Sequence, residues 1–144
     1  MKLTGQIMVD RKSSDHTVTL GKVYSALDQG RMIGIFPEGT RSLDGKLQKA
    51  FTGVGKIALS KKVPIIPVGL IGTFEILAKG KKLPKLKKAT IKIGEPMHFK
   101  EYHDIEHKAE HYRIVTDKVM LKVAELSGKE YPHVEQIKEE ISIK

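Results

Sequence analysis

Residues Val63 to Leu70 read V-P-I-I-P-V-G-L. The run is apolar enough to require burial, yet two of its residues lack a backbone N–H. Proline cannot donate to a strand ladder, so the segment is predicted to be an edge strand or an irregular extended piece. The chain around it alternates strand-like and helix-like stretches. Gly5 to Asp10 (G-Q-I-M-V-D) and Met32 to Phe36 are short apolar runs predicted as strands, the second bounded by Pro37. Ala89 to Gly94 alternates, with Ile91 and Ile93 on one face. Between them, Val18, Leu20, Val23, Tyr24 and Leu27 recur at a helical period after an N-cap near Ser14 or Asp15, and Gly30 stands where a helix-ending glycine belongs.

A second helix is predicted over Ala50 to Lys62, weakened by Gly53 and Gly55. Thr73 to Ala78 is a short helical candidate. A long helix is predicted over Asp104 to Ser127, with Ile114, Val115, Met120, Leu121, Val123 and Leu126 as its apolar stripe and Gly128 as its stop. A last short helix is expected over Val134 to Ile141. Strands separated by helices argue for α/β architecture, a mixed sheet flanked by helices.

The chain has 144 residues, enough for one domain with a real core. No run reaches the ~18 apolar residues that a bilayer-spanning helix needs. No leader-like apolar block follows Met1. With no cysteine, disulfides, thiol nucleophiles and thiolate metal sites are excluded, which fits a cytoplasmic address. The net charge of +9 is unevenly spread: residues 1–97 hold 18 Lys/Arg against 7 Asp/Glu, and residues 98–144 hold 8 against 10. A basic front points to an anionic partner, whether a phosphorylated small molecule, anionic lipid or nucleic acid. Nucleic acid is the weakest of these, because aromatic residues are 6% of the chain and no base-reading motif appears.

The segment Ile33 to Arg41, I-G-I-F-P-E-G-T-R, carries the chemistry. Ligands of open α/β folds gather at the carboxyl ends of strands, and Glu38 to Ser42 follows such a predicted end. Gly39 permits a close approach to the main chain. Thr40 and Ser42 offer hydroxyls. Arg41 offers a planar fork of donors suited to phosphate. Glu38 is placed either to orient Arg41 or to accept a hydrogen bond from a ligand hydroxyl. Arg11, ending another predicted strand, is a second candidate cation for the same phosphate. A solvated acid–base turn is the plainer reading of the same residues.

F-P-E-G-T-R-S at 36–42 resembles the signature of the glycerolipid acyltransferases, the 1-acyl-sn-glycerol-3-phosphate acyltransferase group. G-Q-I-M-V-D-R at 5–11, V-P-I-I-P-V at 63–68 and I-G-E-P at 93–96 resemble further family blocks in the same order. The resemblance implies a glycerol-3-phosphate acyltransferase-like fold, with residues 1–99 as the acceptor-binding region and residues 100–144 as a C-terminal helical extension packed on or trailing the same domain. It implies transfer of a fatty acyl group from acyl-CoA or acyl carrier protein to lysophosphatidate in phospholipid biosynthesis. Arg11, Glu38, Gly39, Thr40, Arg41 and Ser42 would then be substrate-binding. No cofactor or metal is implied. The location implied is cytoplasmic, peripheral to the inner face of the membrane.

The family's catalytic block is H-x-x-x-x-D, a general base oriented by a carboxylate. None of the six histidines is followed five positions later by aspartate; Asp117 lies six after His111. The block belongs upstream of Gly5, so the chain is read as N-terminally truncated, with its catalytic His and Asp outside it, and as inactive alone. His103, His107 and His111 fall four apart, but no nearby motif supports a metal site. The competing reading is a non-catalytic anionic-lipid-binding module built on the lysines between Lys79 and Lys92.

Overall fold

The computed structural model describes residue 7 and residues 17–134. The predicted strand Gly5 to Asp10, apart from Ile7, the start of the first helix, Arg11 and most of the predicted helix Val134 to Ile141 lie outside the described residues. The chain divides into two compact units, residues 1–35 and residues 36–144.

In the first unit, α1 spans Thr17–Asp28 and buries Val23 and Ala26. Gly30, at φ +73°, ends it as the sequence predicts. Its N–H donates to the Leu27 carbonyl at 2.9 Å and the Arg31 N–H to the Ala26 carbonyl at 3.1 Å, the paired closure of a Schellman motif. Met32 to Phe36 forms no strand. It is extended without a ladder, and Met32 and Phe36 are 90% and 77% exposed. Apolar composition alone predicted burial there, but no described segment runs alongside to pair with it.

The second unit is built on α4, Ala109–Ser127. Its apolar stripe serves two clusters. One joins Met120 and Ala124 to Leu47, Ala50 and Tyr131; the other joins Val115 and Val119 to Leu59, Phe99 and Tyr102. Helix α2, Gly53–Lys61, packs across α4. They come close at Gly55, where an added Cβ would stand 2.3 Å from the Tyr112 carbonyl oxygen.

Both helices start later than their periodicity predicts, for identifiable reasons. The Ala50 N–H donates to the Tyr131 hydroxyl at 3.3 Å, its carbonyl accepts from Arg113 at 2.7 Å, and the Phe51 N–H donates to the Pro37 carbonyl at 2.9 Å. The Ala50 carbonyl, taken by Arg113, is diverted from the N–H four residues on that a helix starting there would bond, and the first such bond runs from the Lys56 N–H to the Thr52 carbonyl at 2.9 Å. Upstream of α4, Lys100–Tyr102 forms a single 3₁₀ turn that buries Tyr102. Asp104, Ile105 and Glu106 are exposed, with no core to face, and the helix begins where the His111 ring accepts the Lys108 N–H at 3.1 Å.

The sheet in the described residues has two antiparallel strands, β1 (Val68–Ile71) and β2 (Thr90–Ile93), joined by the short helix α3 (Thr73–Ile76) and a lysine-rich loop. The mixed sheet predicted from sequence is represented there by this antiparallel pair, inside an α/β arrangement. The double-proline run behaves as its missing donors require. Ile65 makes one isolated bridge with Met97, Pro67 is buried and offers only its carbonyl, to Gly94 at 2.9 Å, and the ladder begins at Val68. One face of the pair lies on α4, so close that a Cβ at Gly69 would stand 2.7 Å from that of Leu126. Val68 pairs with Ile93 and Leu70 with Ile91. The two isoleucines share a face, as the alternation predicts, and both are exposed.

Candidate functional site

The stretch F-P-E-G-T-R-S opens a loop that returns to the core at Leu47 and Ala50, both buried. Three local features shape it. The Gly39 N–H closes a turn on the Phe36 carbonyl at 3.0 Å, with Gly39 at φ +65°, a conformation that costs other residues ~1–2 kcal/mol. The Phe51 ring lies against this turn, and an added Cβ on Gly39 would meet it at 2.8 Å. Glu38 Oε2 accepts the Gln48 N–H at 2.6 Å and ties the two ends of the loop together. Farther out, Asp44 Oδ1 accepts from the Ser42 hydroxyl at 3.1 Å and from the Lys46 N–H at 3.0 Å. The Lys46 N–H is the main cause holding the Asp44 carboxyl below its ordinary pKa. Gly45, at φ +84°, lets the loop tip settle on Phe74.

The roles proposed from sequence separate in space. Glu38 does not pair with Arg41; it is spent on the loop backbone. The Ser42 hydroxyl donates to the exposed Asp44. Thr40 and Arg41 are exposed, and among the described residues the Arg41 guanidinium has no side-chain partner. Arg11 lies outside the described residues. Lys79 is the addition: its ammonium donates to the Thr40 hydroxyl at 3.2 Å, from a loop 39 positions away in sequence. The sequence shows Lys79 only as the first of a basic run, with no spacing that ties it to Thr40. The Thr40 hydroxyl donates in turn to the Arg41 carbonyl at 3.4 Å, so the pinned loop presents the Arg41 guanidinium and the Lys79 ammonium as the cations suited to an anion rich in oxygen.

The loop is held from beneath by a buried polar knot. Asp117, 1% exposed, accepts from Arg113 at 2.6 Å and from the Tyr131 hydroxyl at 3.1 Å. Arg113 and Tyr131 in turn hold the carbonyl and N–H of Ala50, where the loop ends. Burial, opposed by the Ala50 N–H and assisted by Asp117, pushes the Tyr131 phenol above its ordinary pKa.

In the first unit an open groove of about 750 Å³ is lined by Val18, Met32 and Ile33 with Lys22 and Arg31. No residue of E-G-T-R-S lines it. Among the described residues, no group of histidines and carboxylates is arranged to hold a metal ion, and no helix is long and apolar enough to cross a membrane.

The α/β scaffold carries an exposed loop on which Arg41 and Lys79 lie close together. Residues 1–71 match the family model described as Acyltransferase, and the chain belongs to that family. It is similar to the 1-acyl-sn-glycerol-3-phosphate acyltransferase of Bacillus subtilis, 32% identical over 103 residues, which are 72% of this chain and 48% of that protein. It is also similar to the probable 1-acyl-sn-glycerol-3-phosphate acyltransferase of Mycoplasma pneumoniae, 31% identical over 86 residues, covering 59% of this chain and 32% of that one. The crystal structure of the 1-acyl-sn-glycerophosphate acyltransferase PlsC from Thermotoga maritima superposes with a TM-score of 0.61 at 30% identity, over 78% of this chain and 46% of that one. The chain thus spans half or less of the length of these relatives.

Proposed function

We propose that the chain is the acceptor-binding part of a 1-acyl-sn-glycerol-3-phosphate acyltransferase, acting in phospholipid biosynthesis. In the full reaction a base takes the proton of a free glycerol hydroxyl of lysophosphatidate. The oxygen attacks the thioester carbonyl of acyl-CoA or acyl-acyl carrier protein, and the thiol leaves. In this reading the acceptor phosphate sits on Arg41, beside the Thr40 hydroxyl, the Gly39 turn and the Lys79 ammonium. Glu38 and Ser42 act on the loop rather than on the ligand. The general base is not among these 144 residues in the family's spacing. Losing such a base costs about 10²–10⁴-fold, so the chain alone binds acceptor but turns over poorly. Because the acceptor is a membrane amphiphile, the working place is a bilayer surface, peripheral and on the cytoplasmic inner face.

The observation that carries this reading is the Arg41 guanidinium, exposed and without a side-chain partner among the described residues, on a loop that Glu38, Phe51 and the core hold in place. Titration of the chain with glycerol 3-phosphate tests it. Saturable binding that Arg41→Ala removes supports the clamp, and binding unchanged by Arg41→Ala overturns it.

A further inference from the structure

The loop between α3 and β2 holds two leucines among its lysines. Leu83 is 83% exposed and Leu86 is fully exposed. From Lys79 to Lys92 there are seven lysines and no acid. Every residue from Lys79 to Ile93 is exposed. A hydrated loop has no reason to hold two leucines clear of the protein, since each forfeits the gain of burying an aliphatic side chain.

The loop is nonetheless fixed at its base. The Lys85 N–H donates to the Ile76 carbonyl at 2.8 Å, the Lys81 N–H to the Ala78 carbonyl at 3.1 Å, and the Lys88 carbonyl lies so near Gly72 that a Cβ there would meet it at 2.5 Å. Lys79 anchors the near end on Thr40, beside Arg41. The loop also runs directly into β2, whose Ile91 and Ile93 are exposed as well.

We propose that this loop is a membrane-docking element: Leu83 and Leu86 enter the interfacial region of an anionic bilayer while the lysines around them bind its phosphates. Apolar side chains set among cations and free of acids are the composition that an anionic lipid surface complements. An acidic protein partner would match the lysines but would gain nothing from two leucines pointing into water. The proposal rests on the acceptor-site reading only in its purpose, because the Lys79–Thr40 contact places the docked loop beside the phosphate clamp, where an acceptor amphiphile would leave the bilayer.

The chain has no tryptophan, so Leu86→Trp introduces a single indole reporter. Phosphatidylcholine vesicles with and without phosphatidylglycerol are the probe. The expected result is a blue shift of emission, and quenching by brominated acyl chains, only when phosphatidylglycerol is present. In co-sedimentation of the otherwise unaltered chain, Leu83→Ser with Leu86→Ser should weaken vesicle binding at least about tenfold. Each lysine changed to glutamine should weaken it about fivefold at low salt. Circular dichroism and glycerol 3-phosphate affinity should stay unchanged in these loop variants other than at Lys79, whereas Arg41→Ala should lose the headgroup and keep the vesicles. An indole that stays water-exposed on anionic vesicles overturns the proposal, as does vesicle binding indifferent to the leucine substitutions. Binding of acyl carrier protein lost with the lysines, beside unaltered vesicle binding, also overturns it and assigns the loop to an acidic protein.

Discussion

The Lys79 ammonium stands 3.2 Å from the Thr40 hydroxyl, the residue before Arg41. This contact brings the basic loop and the phosphate-type loop to one place. Removing an exposed cation costs less than removing a matched donor fork. Arg41→Ala should therefore weaken glycerol 3-phosphate binding by about 1.5–3 kcal/mol, and Lys79→Ala by no more than about 1 kcal/mol, with a loss that shrinks at high salt. Arg41→Lys should recover only part of the loss, because it keeps the charge and not the fork. Calorimetric titration at two salt concentrations checks all three.

Gly39 combines a left-handed backbone with the Phe51 ring at contact. Gly39→Ala should cost about 1–2 kcal/mol in backbone strain, with a further contribution from the ring. Phe51 is exposed and can swing away. Adding Phe51→Ala should thus relieve the contact and leave the backbone cost. Urea midpoints of the two variants separate the contributions, and glycerol 3-phosphate affinity should fall in both.

Gly53 and Gly55 make a paired test in α2. Nothing lies within 4 Å of a Cβ at Gly53, whereas one at Gly55 would meet the Tyr112 carbonyl oxygen at 2.3 Å and the Thr116 hydroxyl at 2.8 Å. Gly53→Ala should stabilise the chain by about 0.4–1 kcal/mol. Gly55→Ala must push α2 away from α4 and should destabilise it by about 1–3 kcal/mol or more. Opposite shifts of the thermal midpoint are expected.

In the Asp117–Arg113 pair Asp117 is buried and Arg113 half-buried, yet Arg113 Nε and Asp117 Oδ2 lack partners among the described residues. Such a pair contributes little net stability, but removing one half leaves a charge without its counterion. Asp117→Ala should cost about 3–5 kcal/mol. Tyr131→Phe, which frees the Ala50 N–H and removes a donor to Asp117, should cost about 1–3 kcal/mol. Denaturant unfolding measures both.

The Tyr131 phenol has its pKa raised above 10.0, first by burial. The folded state then holds the proton more tightly than the unfolded chain. That contribution is complete below about pH 10 and is lost as pH rises through the folded pKa. Stability measured across alkaline pH should fall less steeply in Tyr131→Phe than in the unaltered chain.

Some elements were legible because their cause is local. Gly30 and Gly128 end their helices through their own backbone freedom, and the doubled proline delays its strand through missing N–H groups. The turn in the motif at 36–42 was legible because Gly39 supplies its positive φ from its own backbone. Helix starts were less legible. Ala50 looks helical by periodicity, but Tyr131 and Arg113 take its backbone from far along the chain.

Residue types and their order by themselves determined the α/β class, the family and the donors of the candidate site. Tertiary structure alone decided which of those polar groups are already engaged. It spent Glu38 on Gln48 and Ser42 on Asp44, left Arg41 open, and delivered Lys79 to Thr40 across 39 positions. It also turned Gly55 from an apparent weakness of α2 into the point where two helices touch, and left Leu83 and Leu86 in water. Such outcomes depend on which groups reach one another after packing, and sequence spacing does not encode distances between loops held by separate elements.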